Sequence, residues 1–187
     1  QYSELEDLLG EAPPVLALPM YVLPRMRAVD QGEEAARRER RRLNLGDDPV
    51  SFLGSLFERQ GIRVFVRFDD DPSIVEGISY RGPQGVAILA IVERKPSAFA
   101  SYRWRFTLAH EYAHLLFDSA PDRPWFLAEP VSETAFGRRD TAAVSEMRAN
   151  AFAAAFLMPA TGLRNAIEED GGKITPEVVI ELGRRFR

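Results

Sequence analysis

The chain has 187 residues, of which 45% are hydrophobic and 28% charged, with a formal charge of −4 and no cysteine. That is enough for one domain with its own core, while a disulfide scaffold, thiolate metal ligands and a cysteine nucleophile are excluded. No apolar run approaches the roughly 20 residues that span a bilayer, no basic and apolar leader opens the chain, and the negative charge leaves nucleic-acid contact to a local patch, so the expected location is cytoplasmic.

Residues 1–28 read as a linker arm. The acidic turn Glu4-Leu-Glu-Asp-Leu-Leu9 is followed by Pro13, Pro14, Pro19 and Pro24, and four prolines in twelve residues favour an extended path. The start at Gln1 points to a piece of something longer. From Asp30 the composition turns helical, with Asp30 and Glu33 in capping-box spacing and Gly46 as a stop after Leu45. Arg37, Arg38, Arg40, Arg41 and Arg42 crowd this helix. The glutamates between them favour a solvated face over a nucleic-acid patch. Asp48-Pro49 then caps a second helix that ends near Gln60-Gly61.

Ile62, Val64, Val66 and Phe68 alternate with Arg63, Phe65 and Arg67, the period of a half-buried strand. Val75–Tyr80 and Val86–Val92 flank Arg81-Gly-Pro-Gln-Gly85, a hairpin-length loop, so the expected sheet is small, three-stranded and mostly antiparallel. A helix is expected from about Ser97 to Phe117. Residues 118–140, with three prolines, read as a long loop, and a helix then runs from about Thr141 to Leu157 before Pro159. A short helix is expected from Thr161, and Thr175-Pro176 opens a last one. The fold class is α+β, with the sheet packed on several helices.

The only two histidines stand four apart around a glutamate, in Thr107-Leu-Ala-His-Glu-Tyr-Ala-His-Leu-Leu-Phe117. On a helix this HExxH spacing puts His110 and His114 on one face with Glu111 beside them, where two imidazoles can share one metal and the carboxylate can serve as base. A catalytic zinc usually takes three protein ligands, so a carboxylate must complete the set. Glu146 is the candidate. Its helix is thin at Ala149, Ala151, Ala153, Ala154 and Ala155, matching Ala109 and Ala113 opposite, and Phe152, Phe156, Leu157 and Met158 supply core bulk. Glu146 equally suits a first-turn acid facing the helix dipole. Asp118, about 12 Å along the axis from His110, is a weaker rival, and Glu133 and Asp140 stay open. Asn150, one turn beyond Glu146, is placed to orient the ligands. No third histidine exists as an oxyanion donor. Tyr80 and Tyr112 are available, but packing explains them better, and the donor stays unassigned.

Together, Arg105-Phe-Thr-Leu-Ala-His-Glu-Tyr-Ala-His-Leu-Leu116 and Glu146-Met-Arg-Ala-Asn-Ala-Phe-Ala-Ala-Ala-Phe-Leu-Met-Pro159 resemble the paired motifs of the ImmA/IrrE metallopeptidase family. The resemblance covers roughly residues 30–187. It implies a zincin-like metallopeptidase domain over 29–187, cut short in its C-terminal helical part, with zinc on His110, His114 and Glu146 and Glu111 as catalytic base. Arg148 departs from the pattern, since relatives often carry a second acid there. Members of that family cleave helix-turn-helix repressors that control stress responses or mobile elements, and many carry a helix-turn-helix domain ahead of the peptidase. The resemblance thus implies a repressor as protein substrate and DNA contact only through an N-terminal domain absent here; the short apolar runs already gave no membrane partner. The alternatives are a non-catalytic sensor attached to a DNA-binding domain, and the toxin of a toxin-antitoxin pair. The ligand set also suits manganese or another divalent ion.

Overall fold

A computed structural model describes residues 18–22, 25–69, 75–83, 85–93, 100–119, 124–130 and 141–186. Six helices and four strands follow one another among them: α1 Ala28–Arg42, α2 Leu53–Glu58, β1 Ile62–Asp69, β2 Val75–Gly82, β3 Gly85–Glu93, α3 Ala100–Phe117, β4 Trp125–Pro130, α4 Thr141–Leu157, α5 Ala160–Glu169 and α6 Pro176–Arg185. The fold is α+β, as its alternating and helical segments require.

The sheet has the order β1-β3-β2-β4, one strand more than the three expected. β2 and β3 form the anticipated antiparallel hairpin, with Gly82 opposite Gly85. β1 lies on the outer edge of β3 and runs parallel to it, Ile62 opposite Val86 and Phe68 opposite Val92. The alternation marks where the strand runs and not which strand lies beside it, and the half-buried face it predicts is covered only at its start: Ile62 is buried, whereas Val66 and Phe68 are exposed along with Phe65. β4 falls within residues 118–140, read as loop. It pairs antiparallel with β2, Tyr80 opposite Phe126 and Arg81 opposite Trp125, and as an edge strand it tolerates Pro130 at its end.

One face of the sheet is covered by α3. Val86, Ile88, Ala90 and Val92 of β3 and Gly77, Ser79 and Arg81 of β2 are buried on it, by the two-residue period of a strand. Arg81 crosses to the end of α3, donating from Nε to Ser119 Oγ at 2.8 Å and from Nη2 to the Leu115 carbonyl at 3.3 Å. A cation there meets the negative end of the helix dipole. α4 packs against α3 and α1 together. Ala109, Ala113, Ala149 and Ala153 are buried, and Phe152 and Phe156 stack at 5.3 Å within the core. Met158 is exposed, contrary to its expected core role, because it lies just past the last turn of α4.

The helix starts differ from the sequence reading. α1 begins at Ala28 with Arg27 as N-cap and no side-chain cap, so Asp30 sits inside the first turn and accepts two hydrogen bonds from Arg27. α2 likewise begins at Leu53 after Phe52, beyond Asp48-Pro49. Capping spacing is local, whereas packing decides where a turn closes. The arginine cluster is also not a uniform solvated face. Arg37 and Arg38 pair with Glu34, but Arg40 is buried and donates to the carbonyls of Gly46, Asp48 and Phe156, tying the ends of α1 and α4. Glu39, fully buried, accepts from Tyr21, Arg42 and Tyr112. α5 and α6 start at Ala160 and Pro176, and Thr175 caps the latter through the Val178 N–H at 3.4 Å.

Candidate functional site

α3 presents His110 and His114 one turn apart, and their Nε2 atoms lie 3.0 Å from each other. α4 brings Glu146 against both. Its Oε2 is 3.2 Å from His110 Nε2 and its Oε1 is 3.5 Å from His114 Nε2. Both histidines are buried, whereas the Glu146 side chain is 32% exposed, so the cluster opens to solvent on the glutamate side.

The outer nitrogens of the two rings are committed elsewhere. His114 Nδ1 is 2.8 Å from Asp118 Oδ2 and His110 Nδ1 is 3.0 Å from Asn150 Oδ1. Both partners are acceptors, so each Nδ1 carries the ring proton and each Nε2 turns a lone pair inward. Two lone pairs and a carboxylate then face one another, an arrangement that one cation relieves at three points simultaneously. A tetrahedral ion with bonds of about 2.0–2.1 Å holds its ligand atoms roughly 3.3–3.4 Å apart. The observed 3.0 to 3.5 Å fits that size. These three residues can therefore hold a metal ion, with ligand atoms all within 4.8 Å of one another.

Asp118 enters as a support for His114, not as the rival ligand. Ser145 donates to its Oδ2 at 2.6 Å, and Arg148 donates to its Oδ1. Burial raises its pKa, but the bonds from His114 and Ser145 and the charge of Arg148 outweigh burial and hold the carboxyl below its usual range. Arg148, the departure from the resembled motif, thus braces a histidine through Asp118 and also lies 4.7 Å over the Phe117 ring.

Glu111 projects from the same helix onto β2, fully buried, and its Oε2 accepts from Ser79 Oγ at 2.6 Å. Beside Ser79 on that strand face, Gly77 lies so close under the carboxylate that a Cβ there would overlap Oε1 and come within 2.9 Å of Cγ. Neither residue had been singled out from the sequence. The available signal was two small residues, two apart, on the buried face of a strand. Trp125 of β4 stands beside the second histidine, its ring 6.2 Å from that of His114.

The tyrosines lie elsewhere. Tyr112 is buried on the far side of α3, its hydroxyl on Glu39 and its ring 4.3 Å from that of Phe57. Burial first, and then the Glu39 charge, push that hydroxyl far above its usual pKa. Tyr80 stands on β2 between Ser79 and Arg81, so the strand alternation turns it to the opposite face. Glu133 and Asp140 lie outside the described residues.

Among known proteins, the family model Peptidase_M78, described as the IrrE N-terminal-like domain, matches residues 57–187, more than two thirds of the 187-residue chain. No curated protein matches it.

Proposed function

The chain belongs to the IrrE N-terminal-like metallopeptidase family, and from that premise we propose that it is a zinc-dependent endopeptidase whose substrate is a helix-turn-helix repressor in a stress or mobile-element response. The observation that carries the peptidase reading is the meeting of His110, His114 and Glu146 beside a buried Glu111. A structural metal site has no need of that second carboxylate.

Zinc, when bound, supplies Lewis acidity that acidifies a water and polarises the scissile carbonyl. Everything else falls to the chain. His110, His114 and Glu146 hold the ion, with Nδ1 of each histidine locked outward by Asn150 or Asp118. Glu111 takes the proton of the attacking water and passes it to the leaving amine. Catalysis of this kind contributes about 10²–10⁴-fold. The repressor reading is supported by the likeness of both motifs to the resembled family.

The test is incubation of the zinc-loaded protein with a helix-turn-helix repressor encoded beside it, comparing wild type with Glu111→Gln and assaying bound zinc in both. Cleavage by wild type alone, with about one zinc per chain in each, is the expected result. Equal cleavage by the two proteins would refute the role of Glu111. Zinc at full occupancy with no cleavage of the repressor would favour the sensor reading.

A further inference from the structure

We propose that Gly77 and Ser79 of β2 form a seat that fixes the Glu111 carboxylate, making Ser79 a positioning residue for the base; this deepens, and rests on, the peptidase reading above. Ser79 is fully buried, and its hydroxyl donates to Glu111 Oε2 at 2.6 Å. Gly77 leaves the other oxygen room that any Cβ would take away. Both residues belong to the same face of one strand, two positions apart, so a single strand lies against both oxygens. A glutamate has three rotatable side-chain bonds, and an unrestrained carboxylate would visit orientations turned away from the reacting water. α3 sets where the Glu111 backbone stands, and β2 sets where its oxygens point.

Two variants separate the hydroxyl from the room beside it. Ser79→Ala removes one oxygen without adding bulk. Gly77→Ala adds a methyl whose nearest neighbours are the Glu111 carboxylate and its Cγ, so the carboxylate must move from its present place. The first readout needs no turnover: the ¹³C carboxyl resonance of Glu111, assigned by its loss in Glu111→Gln, in the zinc-loaded protein. Both variants are expected to move or broaden it while zinc content holds, with a lower melting temperature in Ser79→Ala because a buried carboxylate loses a hydrogen bond. An unmoved resonance in both overturns the seat.

The second readout is the affinity of acetohydroxamate, a small chelating probe of zinc-peptidase sites. We expect Ser79→Ala to weaken it about tenfold and Glu111→Gln more, with the double variant no weaker than Glu111→Gln alone, because residues acting as a unit are not additive. Additive losses would overturn the coupling. A carboxyl resonance that responds to Ser79 in a wild type that holds zinc but does not bind acetohydroxamate would support the seat and refute the peptidase reading alone.

Discussion

At Gly32 the backbones of α1 and α4 approach closely, and Gly32→Ala tests whether that approach sets the metal site. A Cβ at this position would overlap the Arg148 carbonyl oxygen and lie 2.7 Å from Phe152 N and 2.9 Å from Ala151 Cβ. Carbon contacts normally settle at about 3.5–4.0 Å, so the two helices must part by roughly 1 Å. The opposing atoms are mostly helix backbone, which cannot rotate aside as a side chain would. α1 cannot retreat alone either, because Glu39 ties it to Tyr112 on α3. Overpacking costs about 1–3 kcal/mol, with the upper end expected against backbone, and alanine returns about 1 kcal/mol of helix propensity. The net is about 2 kcal/mol, or a melting temperature lower by roughly 4–8 °C in a domain of this size. Because α4 carries Glu146 and metal–ligand distances tolerate only about ±0.2 Å, zinc affinity should fall at least about tenfold, on the scale of other outer-shell changes. Thermal unfolding by circular dichroism and competition with a chromophoric chelator measure the two effects. A melting temperature unchanged or raised would show that the interface yields and propensity wins. A lowered melting temperature with full zinc affinity would refute the link between this contact and the ligand geometry.

Asp118→Ala should weaken zinc binding about 10–100-fold, since it frees His114 Nδ1 and strands Arg148, and the same chelator competition measures it. Asn150→Ala should do less, because Asn150 is exposed and neutral where Asp118 is charged and held by three donors; the reverse ranking would undo this account of the rings. Tyr112→Phe should cost about 1.5–3 kcal/mol in urea unfolding, the range for a hydrogen bond to a charged group, and leave zinc affinity untouched. A loss of zinc or acetohydroxamate binding in that variant would return Tyr112 to the site.

What could be read from the sequence was whatever repeats over a few residues. The alternation from Ile62 to Phe68 and the turn at Gly82 to Gly85 report local geometry, and both elements stand where that geometry places them. α4 ends at Leu157 because Pro159 follows closely, a stop that requires no tertiary information. The start of α1 depended on more. Asp30 and Glu33 have capping spacing, yet the helix extends upstream to Ala28. The parallel partnership of β1 and β3 was invisible for the same reason: it joins residues 24 apart, Ile62 and Val86, through hydrogen bonds that any side chain permits. β4 was missed because Trp125-Phe-Leu-Ala-Glu-Pro130 carries prolines on its approach and at its end, a loop signature everywhere except at a sheet edge.

The site divides along the same line, between residues that share a helix and residues that must meet across the fold. His110, Glu111 and His114 share one helix, so their spacing alone states their geometry. Glu146 needed a steric argument, that a thin helix must come close. The buried alanines on α3 and α4 and the bare Gly32 on α1 are the physical content of that argument. Arg148 shows its limit. By residue type it was a missing acid; by position it is the cation that steadies Asp118 against His114. Ser79 and Gly77 lie at the far end of this scale, because a serine and a glycine in a strand carry no chemistry by themselves. Their meaning comes from a carboxylate 32 residues downstream of Ser79. A base whose position is shared between a helix and a strand is legible only when both are seen together, so substitutions on β2, far from the motif in sequence, should change how Glu111 behaves while leaving the metal ligands in place.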